Sequence, residues 1–290
     1  MSQDVSLKAI HHIRTMGHAL KSHLVLCENG DLCVVRLRRR TQSSELIAAV
    51  VASRIARTFG LPTPECVVVR IGDSLLRETP ELTKIPELRR EDWLGDHSGT
   101  LYVRSHGESL FDLLPGPYLA SLSNPESFLH FLALDKWCSH SGPPKPVFYR
   151  SGAGSQYSVE FVSRGGSLYG AGLGFRDHPL DGIYYQKTVY GRVTGWDSFD
   201  PLLSNLILAS PDDLYRTTKD LPFGWSEEHR DELDRLVESL LVRRSRIRQL
   251  ITQSRDQVPG LFPSWTRRTF VPPQHRFEGS PLLRLIRSGK

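Results

Sequence analysis

The sequence predicts an α+β fold with two lobes, a small β-rich N-terminal lobe followed by a larger helical C-terminal lobe. Segments rich in β-branched residues, separated by turns, occupy much of the first hundred residues. The most regular helical pattern, residues 227–251, lies late in the chain. The chain has 290 residues, 39% of them hydrophobic and 24% charged, which is typical of a globular protein with a sizeable core.

The apolar segments and the cysteines indicate the compartment in which the protein is expected. No run of about 18 apolar residues is present, and the N-terminus lacks an apolar segment, so neither a membrane-spanning helix nor a secretory signal is expected. The chain has four cysteines without a Cys-x-x-Cys pair, which argues against a disulfide scaffold and a zinc ribbon. We therefore expect a cytoplasmic protein without a metal site.

The first predicted element is a β-hairpin. Residues 23–27 and 32–37 are rich in strand-forming residues, and Glu28-Asn-Gly-Asp31 between them has the composition of a turn. A helix is predicted over residues 44–59 because apolar residues recur there every three or four positions. Gly60 and the prolines that follow it end this helix.

Two further strands complete the predicted N-terminal lobe. Residues 66–71 form an unbroken apolar run, which indicates a buried strand. Residues 77–98 are charged and contain prolines without any period, so they are predicted to be a long loop. Residues 100–104 are predicted to form the fourth strand.

The second half of the chain is predicted to be mainly helical. Asn124-Pro125 has the residues preferred at a helix start, with Asn as the cap and Pro at the first position. Residues 147–149 and 157–162 are predicted to form a second hairpin. Residues 227–251 carry apolar side chains on one helical face, with acids in the first turn and arginines toward the end.

Positive charge is concentrated at the C-terminus. The formal net charge of the chain is +5, and residues 261–290 contain six basic residues and one acid, so six minus one accounts for all of it. Residues 1–260 are formally neutral, which is not the charge distribution of a dedicated nucleic-acid-binding domain. Five prolines and the absence of a sustained period predict that residues 256–290 form a basic tail.

Several short motifs, taken in chain order, resemble bacterial HipA-like kinases. The match extends over roughly residues 10–250 and implies a kinase domain over residues 1–255, with an N-lobe at about 10–105 and a C-lobe at about 106–255. The motifs are Ser22-His-Leu24, Val34-Val-Arg-Leu37 with Gln42, Gly60-Leu-Pro-Thr-Pro64, Leu134-Asp-Lys-Trp137, Gly182-Ile-Tyr184 and Gly195-Trp-Asp-Ser-Phe199.

The resemblance implies a serine/threonine-type kinase fold that transfers phosphate from ATP, with Mg²⁺, to proteins. Arg36 occupies the position of the family's strand lysine, and Gln42 that of a glutamine six residues later. Both are candidate nucleotide-binding residues. An arginine keeps the positive charge and binds phosphate with two donors, although its geometry differs from that of lysine. Alternatively, Arg36 is a solvent-facing strand residue.

The acidic positions of the family are replaced in this sequence. Ala49 stands at the helix glutamate that would pair with the strand lysine, and Glu45 is the nearest acid. His140 stands at an asparagine of the catalytic loop, and Gly142 at its acid. Ser163, a poor sole ligand for Mg²⁺, stands at the metal-binding acid. His140 is the one candidate for a general base. The alternative is a solvated loop histidine.

Three functions remain open from the sequence. The first is a catalytically degenerate pseudokinase that acts as a protein-binding or regulatory module. The second is an atypical ATP-dependent protein kinase, with ATP and Mg²⁺ as cofactors, in which Arg36 contacts phosphate and His140 or Glu45 compensates. The third is a protein tethered to nucleic acid through its basic tail. Leu282, Leu283, Leu285 and Ile286 form an apolar cluster that could also bind a partner.

Overall fold

A computed structural model provides the structure of the protein. It describes residues 6–16, 22–37, 43–85, 88–102, 110–150, 152, 154–162, 167–168, 175–222, 225, 227 and 229–265.

The N-terminal part is a closed five-stranded barrel in the order β1-β2-β3-β5-β4. β1 and β4 pair in parallel, and the other neighbours are antiparallel. On β3, Cys33 and Val35 are buried in the barrel and their neighbours face outward, as the two-residue period of a strand requires. The strands are β1 (Ser6–Thr15), β2 (Ser22–Cys27), β3 (Leu32–Arg36), β4 (Cys66–Ile71) and β5 (Gly95–Leu101).

The predicted loop over residues 77–98 is wrong. The structure has helix α2 (Asp73–Glu78), a 3-10 helix (Pro80–Lys84) and helix α3 (Arg90–Trp93) in and around this segment. Leu75, Leu76, Leu82 and Trp93 from these elements are buried in the barrel core, so tertiary burial orders a segment that has no period of its own. The predicted strand at 100–104 in fact begins at Gly95.

Helix α1 (Ser43–Thr58) joins the barrel to the helical part of the molecule. It packs against β4, β5 and helix α7 (Pro211–Thr218). Its apolar residues belong to the larger of two hydrophobic clusters, which also contains the core of the C-terminal half. Arg54 on α1 donates hydrogen bonds to the carbonyl oxygens of Thr217, Lys219 and Asp220, which hold α1 against the end of α7.

The C-terminal half is built around helix α5. Ten of its eleven residues are buried, and the indole of Trp137 donates to the Leu240 carbonyl oxygen at 2.9 Å. β6 and β7 form a separate antiparallel pair. The elements are α4 (Gly116–Ala120), α5 (Ser127–Trp137), β6 (Lys145–Tyr149), β7 (Ser158–Val162), 3-10 helices Lys187–Tyr190 and Trp196–Phe199, α6 (Leu202–Ile207), α7, α8 (Arg230–Arg243), a 3-10 turn Arg244–Arg246 and α9 (Ile247–Gln257).

The predicted boundary between domain and tail, at residue 255, lies too early. Val258, Leu261 and Phe262 are buried, and Trp265 packs against Trp196 with ring centroids 4.9 Å apart. The chain therefore packs against the core as far as Trp265. The rest of the predicted tail, residues 266–290, lies outside the described residues. Within the described part of the chain, no helix is long and apolar enough to cross a bilayer.

Candidate functional site

Arg36 lies at the end of β3, on the outer face of the barrel. It pairs in register with Ser22 on β2 and with Ser98 on β5. Ser98 is also paired with Val68 on β4, and α1 packs on β4 and β5. Residues directly opposite each other on paired strands share a face, so Arg36 projects on the same face as Ser98 and Val68. Arg36 is partly exposed, which is compatible with both interpretations made from the sequence.

Ala49 provides no acid for Arg36. It lies on α1 with 8% of its surface exposed, among the buried apolar residues of that helix. An ion pair between strand and helix, of the kind that orders the phosphate-binding lysine in protein kinases, cannot form through this position. Gln42 and the side chain of Glu45 lie outside the described residues, so their roles stay predictions.

His140 is buried, which excludes the solvated-loop alternative. Only 4% of its surface is exposed, and its Nδ1 lies 2.9 Å from the Ser167 hydroxyl. Its backbone N–H donates to the Asp135 carbonyl oxygen at 2.9 Å, which ties the loop to the end of α5. A general base must reach the hydroxyl of a substrate, and a buried imidazole with one nitrogen engaged by Ser167 is poorly placed for that task.

Gly142 lies in the loop between α5 and β6, residues 138–144, which we call the candidate loop, and its backbone is bonded to residues 181 and 182. Its N–H donates to the Asp181 carboxylate at 2.9 Å, and its carbonyl oxygen accepts from Gly182 N–H at 2.9 Å. Gly142 has a φ of +77°, which favours glycine. Gly142, which the sequence resemblance aligns with the acid of the kinase catalytic loop, thus has no side chain to offer, and its backbone groups are bonded to residues 181 and 182.

β7 leads to the position of the family's metal-binding acid. Ser163 follows β7 directly and lies outside the described residues, so its replacement of the acid rests on the sequence. Glu160 on β7 accepts a hydrogen bond from the Tyr149 hydroxyl at 3.2 Å, and burial raises the pKa of its carboxyl. Glu160 is therefore engaged in the β6–β7 sheet, as the strand alternation predicts.

The Gly60-Leu-Pro-Thr-Pro64 motif follows α1 in the chain and is hydrogen-bonded to β7. The Pro62 carbonyl oxygen accepts from Phe161 N–H at 2.9 Å, and the Thr63 hydroxyl donates to the Phe161 carbonyl oxygen at 2.7 Å. Asn124 makes two similar bonds to the backbone of Val159. These contacts fix the strand that would carry a metal ligand, and no pattern in the sequence indicated them.

Two buried cations hold residues 177–179 against the C-terminal end of α5. Lys136 Nζ donates to the carbonyl oxygens of His178 and Pro179 at 3.1 and 3.0 Å. Arg243 donates to the carbonyl oxygens of Trp137 and Lys136 at the C-terminus of α5, and to Asp177. The sequence suggested only that arginines near 243 complement the dipole of their own helix. The structure shows that Arg243 satisfies the terminal carbonyls of another helix.

Burial lowers the pKa of Lys136 to about 8. The unfolded chain, with an ordinary lysine pKa near 10.4, binds more protons than the folded chain between about pH 8 and 10. The free energy of unfolding should therefore gain a contribution that increases with pH above about 8. Lys136→Met removes this contribution, so the difference between wild type and variant should grow in favour of wild type between pH 8 and 9.5 in urea titrations. A difference in the free energy of unfolding that is independent of pH would contradict the lowered pKa of Lys136.

A metal-binding cluster is not evident in the part of the chain that the structure describes. No group of three or more His, Cys, Asp or Glu side chains there is arranged to hold an ion. His12 Nε2 and His23 Nδ1 lie 3.3 Å apart, but they make a pair and not a three-ligand site.

Comparison with known proteins shows a similarity in sequence over the N-terminal part and a similarity in fold over most of the chain. Residues 10–97 match the family model described as HipA-like kinase. The crystal structure of a Helicobacter pylori proinflammatory kinase, CtkA, is similar with a TM-score of 0.56 and 14% identity, covering 85% of this chain and 98% of that chain. The Golgi casein kinase is similar with a TM-score of 0.48 and 9% identity, covering 87% and 74%. No curated protein sequence matches significantly.

Proposed function

We propose that this protein, a HipA-like kinase by its N-terminal sequence and a mixed α and β kinase fold overall, is a catalytically degenerate pseudokinase that binds proteins. The observation that best supports the proposal is the candidate loop. Gly142 stands at the acid position with both backbone groups bonded to residues 181–182, and His140 is buried against Ser167. The polar groups of the loop are thus already engaged in hydrogen bonds to other parts of the protein.

Several requirements of phosphoryl transfer are absent together. The reaction needs a cation on the phosphates, acids that hold Mg²⁺, and a group that orients the attacking hydroxyl. Arg36 retains the first, while Ala49, Gly142 and Ser163 replace the acids. Each of these groups contributes orders of magnitude to the rate of phosphoryl transfer. Their joint loss therefore argues for a role that does not require catalysis.

The proposed arrangement is the two-lobed one of the kinase fold. In this arrangement the barrel of β1–β5 would be the N-lobe, and the part built around α5 would be the C-lobe. The barrel and the α5 region have separate hydrophobic clusters, which supports this division, although α1 packs in the cluster of the α5 region. A protein that keeps the kinase fold without catalysis is suited to regulation by protein binding. From its sequence, we propose that it is located in the cytoplasm.

The second candidate function is an atypical ATP-dependent protein kinase. The position of Arg36 favours it, because a partly exposed cation stands where the family has its lysine. In this case ATP and Mg²⁺ would be the cofactors, and His140 would compensate for the missing base. Tethering to nucleic acid depends on residues 266–290, outside the described part, and no contact in the structure favours it.

The experiment that separates the two leading candidates is a phosphate-transfer assay with ATP labelled on its γ-phosphate. Wild type, Arg36→Ala and His140→Ala are incubated with Mg²⁺ and with Mn²⁺, alone and with general protein substrates. The pseudokinase proposal predicts no incorporation in any of the three. Incorporation that disappears in the Arg36 and His140 variants would establish the atypical kinase instead.

A further inference from the structure

Two cysteine thiols are in contact inside the N-terminal barrel. The Sγ atoms of Cys27 on β2 and Cys33 on β3 lie 3.5 Å apart, and both residues are 0% exposed. Both thiols are free, and both side chains belong to the hydrophobic cluster of the barrel. A buried cysteine can fill space as a small apolar side chain. Two thiols in contact can in addition be joined by oxidation.

The register of the β2–β3 hairpin brings the two thiols together. Val25 pairs with Cys33, and Cys27 follows Val25 by two residues on the same face, so the two cysteines are diagonal neighbours. Diagonal neighbours lie about 7–8 Å apart at Cα, slightly beyond the usual range for disulfides. Closing the 3.5 Å gap between the sulfur atoms to a bond of about 2.05 Å therefore requires a small inward movement at the end of the hairpin.

The turn that joins β2 to β3 permits this movement. Residues 28–31 are all exposed, and Gly30 has a φ of +86°. Gly30 N–H donates to the Cys27 carbonyl oxygen at 2.9 Å, and Cys27 N–H donates to the Asp31 carbonyl oxygen at 2.8 Å. One further hydrogen bond, from Glu28 N–H, reaches β1. Exposed turns with few hydrogen bonds open at a small cost in free energy, and this opening gives a small oxidant access to Cys27.

The two thiols differ in acidity. The contact with Cys33 lowers the pKa of the Cys27 thiol, and the contact with Cys27 raises the pKa of the Cys33 thiol. The thiolate is the form that attacks an oxidant, so Cys27 reacts first and Cys33 second. Cys66 on β4 offers a contrast, because its Sγ lies 3.7 Å from the Ser98 hydroxyl and burial raises the pKa of its thiol.

We infer that Cys27 and Cys33 form a reversible disulfide when the protein meets hydrogen peroxide. The Cys27 thiolate attacks one peroxide oxygen, the O–O bond breaks, and a sulfenic acid forms as the other oxygen leaves as water. The Cys33 thiol then attacks the sulfenic sulfur, the S–S bond forms, and the second oxygen leaves as water. The two sulfur atoms lose two electrons in total, and the thiol protons end in the water. Exchange with a small thiol reverses the reaction.

The disulfide would act on the barrel. It covalently closes the hairpin whose strand β3 ends at Arg36, the candidate nucleotide-binding residue. A crosslink restricts the unfolded chain, so the oxidised protein should unfold at a higher temperature than the reduced protein. In a reducing cytoplasm a disulfide of this kind is transient and is typical of redox sensing. None of this depends on whether the protein transfers phosphate.

Peptide mapping of the full chain after treatment with hydrogen peroxide tests this inference. The folded protein is treated, its remaining thiols are alkylated after unfolding, and a glutamate-specific protease cuts between the two cysteines at Glu28. We expect the number of alkylated cysteines to fall from four to two. The fragments that carry Cys27 and Cys33 should stay joined until a thiol reductant is added, and the thermal midpoint should rise on oxidation and return on reduction.

Two variants separate the roles of the cysteines. Cys33→Ser should form no disulfide and should accumulate a sulfenic acid at Cys27 that dimedone traps. Cys66→Ser is the matched control, and it should form the disulfide as the wild type does.

The mapping of the wild type alone decides the inference, so it does not depend on how well the variants fold. Four alkylated cysteines after treatment would mean that the two thiols only fill space in the barrel. Oxidation of Cys27 without a bond to Cys33, a disulfide that includes Cys66 or Cys138, or a disulfide between two molecules would also overturn the inference. A joined pair of fragments that a thiol separates supports it.

Discussion

Replacing Gly182 with alanine should destabilise the protein by about 3 kcal/mol or more. Gly182 has a φ of +73°, and a Cβ atom built there would lie 2.6 Å from the Cβ of Asp135. A left-handed conformation costs an L-residue roughly 1–2 kcal/mol, and overpacking adds about 1–3 kcal/mol. Asp135 is 1% exposed and cannot move into solvent without opening the candidate loop. Urea unfolding measures the change.

Gly60→Ala is the matched control for Gly182→Ala. Gly60 has the same φ of +73°, and a Cβ atom there would meet nothing within 4 Å. Its substitution carries the backbone cost alone, about 1–2 kcal/mol. The difference between the two variants therefore isolates the contact with Asp135. Equal losses in both would mean that α5 and the segment at 182 are not packed as closely as the structure has them.

Replacing Arg243 with methionine should destabilise the protein by about 3–5 kcal/mol. Arg243 is 4% exposed, donates to the carbonyl oxygens of Trp137 and Lys136 at 2.7 and 2.9 Å, and forms an ion pair with Asp177. Its guanidinium also lies 4.6 Å from the centre of the Phe175 ring. Removing it leaves two buried carbonyls without their donor and withdraws the buried partner of Asp177.

Arg246→Met separates the role of burial from that of charge. Arg246 also pairs with Asp177, at 3.0 Å, but 46% of its side chain is exposed. Exposed pairs contribute about 1 kcal/mol or less, so this variant should remain close to wild type in urea unfolding. Arg243→Lys keeps the charge and loses most of the donors, and it should fall between the two. Similar losses for Arg243→Met and Arg246→Met would contradict the capping role of Arg243.

Periodic elements were predictable from the sequence. The helix predicted over 44–59 is confirmed as Ser43–Thr58, and the second hairpin is confirmed within two residues at each end. Both have an apolar pattern that their burial requires. The strand Gly95–Leu101 begins Gly-Asp-His-Ser-Gly and has no such pattern, and β1 at Ser6–Thr15 is mostly polar and exposed. Their strand conformation comes from pairing in the barrel, which a local pattern does not encode.

The candidate site was only partly predictable. The motifs resembled those of HipA-like kinases and pointed to Ala49, His140 and Gly142 as positions to compare. They did not indicate that His140 is buried against Ser167, because its partner is 27 residues away in a glycine-rich segment without a period. The motifs also did not indicate that Arg243 donates to the Trp137 carbonyl oxygen at the end of α5, because the two residues are more than 100 positions apart in the sequence. Such long-range polar contacts depend on the packed fold.

The most direct test of the central claim is the amount of γ-phosphate that the purified full chain transfers from ATP, relative to Arg36→Ala. Arg36 aligns, by the sequence resemblance, with the lysine that contacts phosphate in HipA-like kinases, and it keeps the positive charge. The account predicts that wild type and Arg36→Ala are indistinguishable from a sample without protein, with either Mg²⁺ or Mn²⁺. Phosphate incorporated by wild type and lost in Arg36→Ala would show that the protein transfers phosphate and would contradict the pseudokinase proposal.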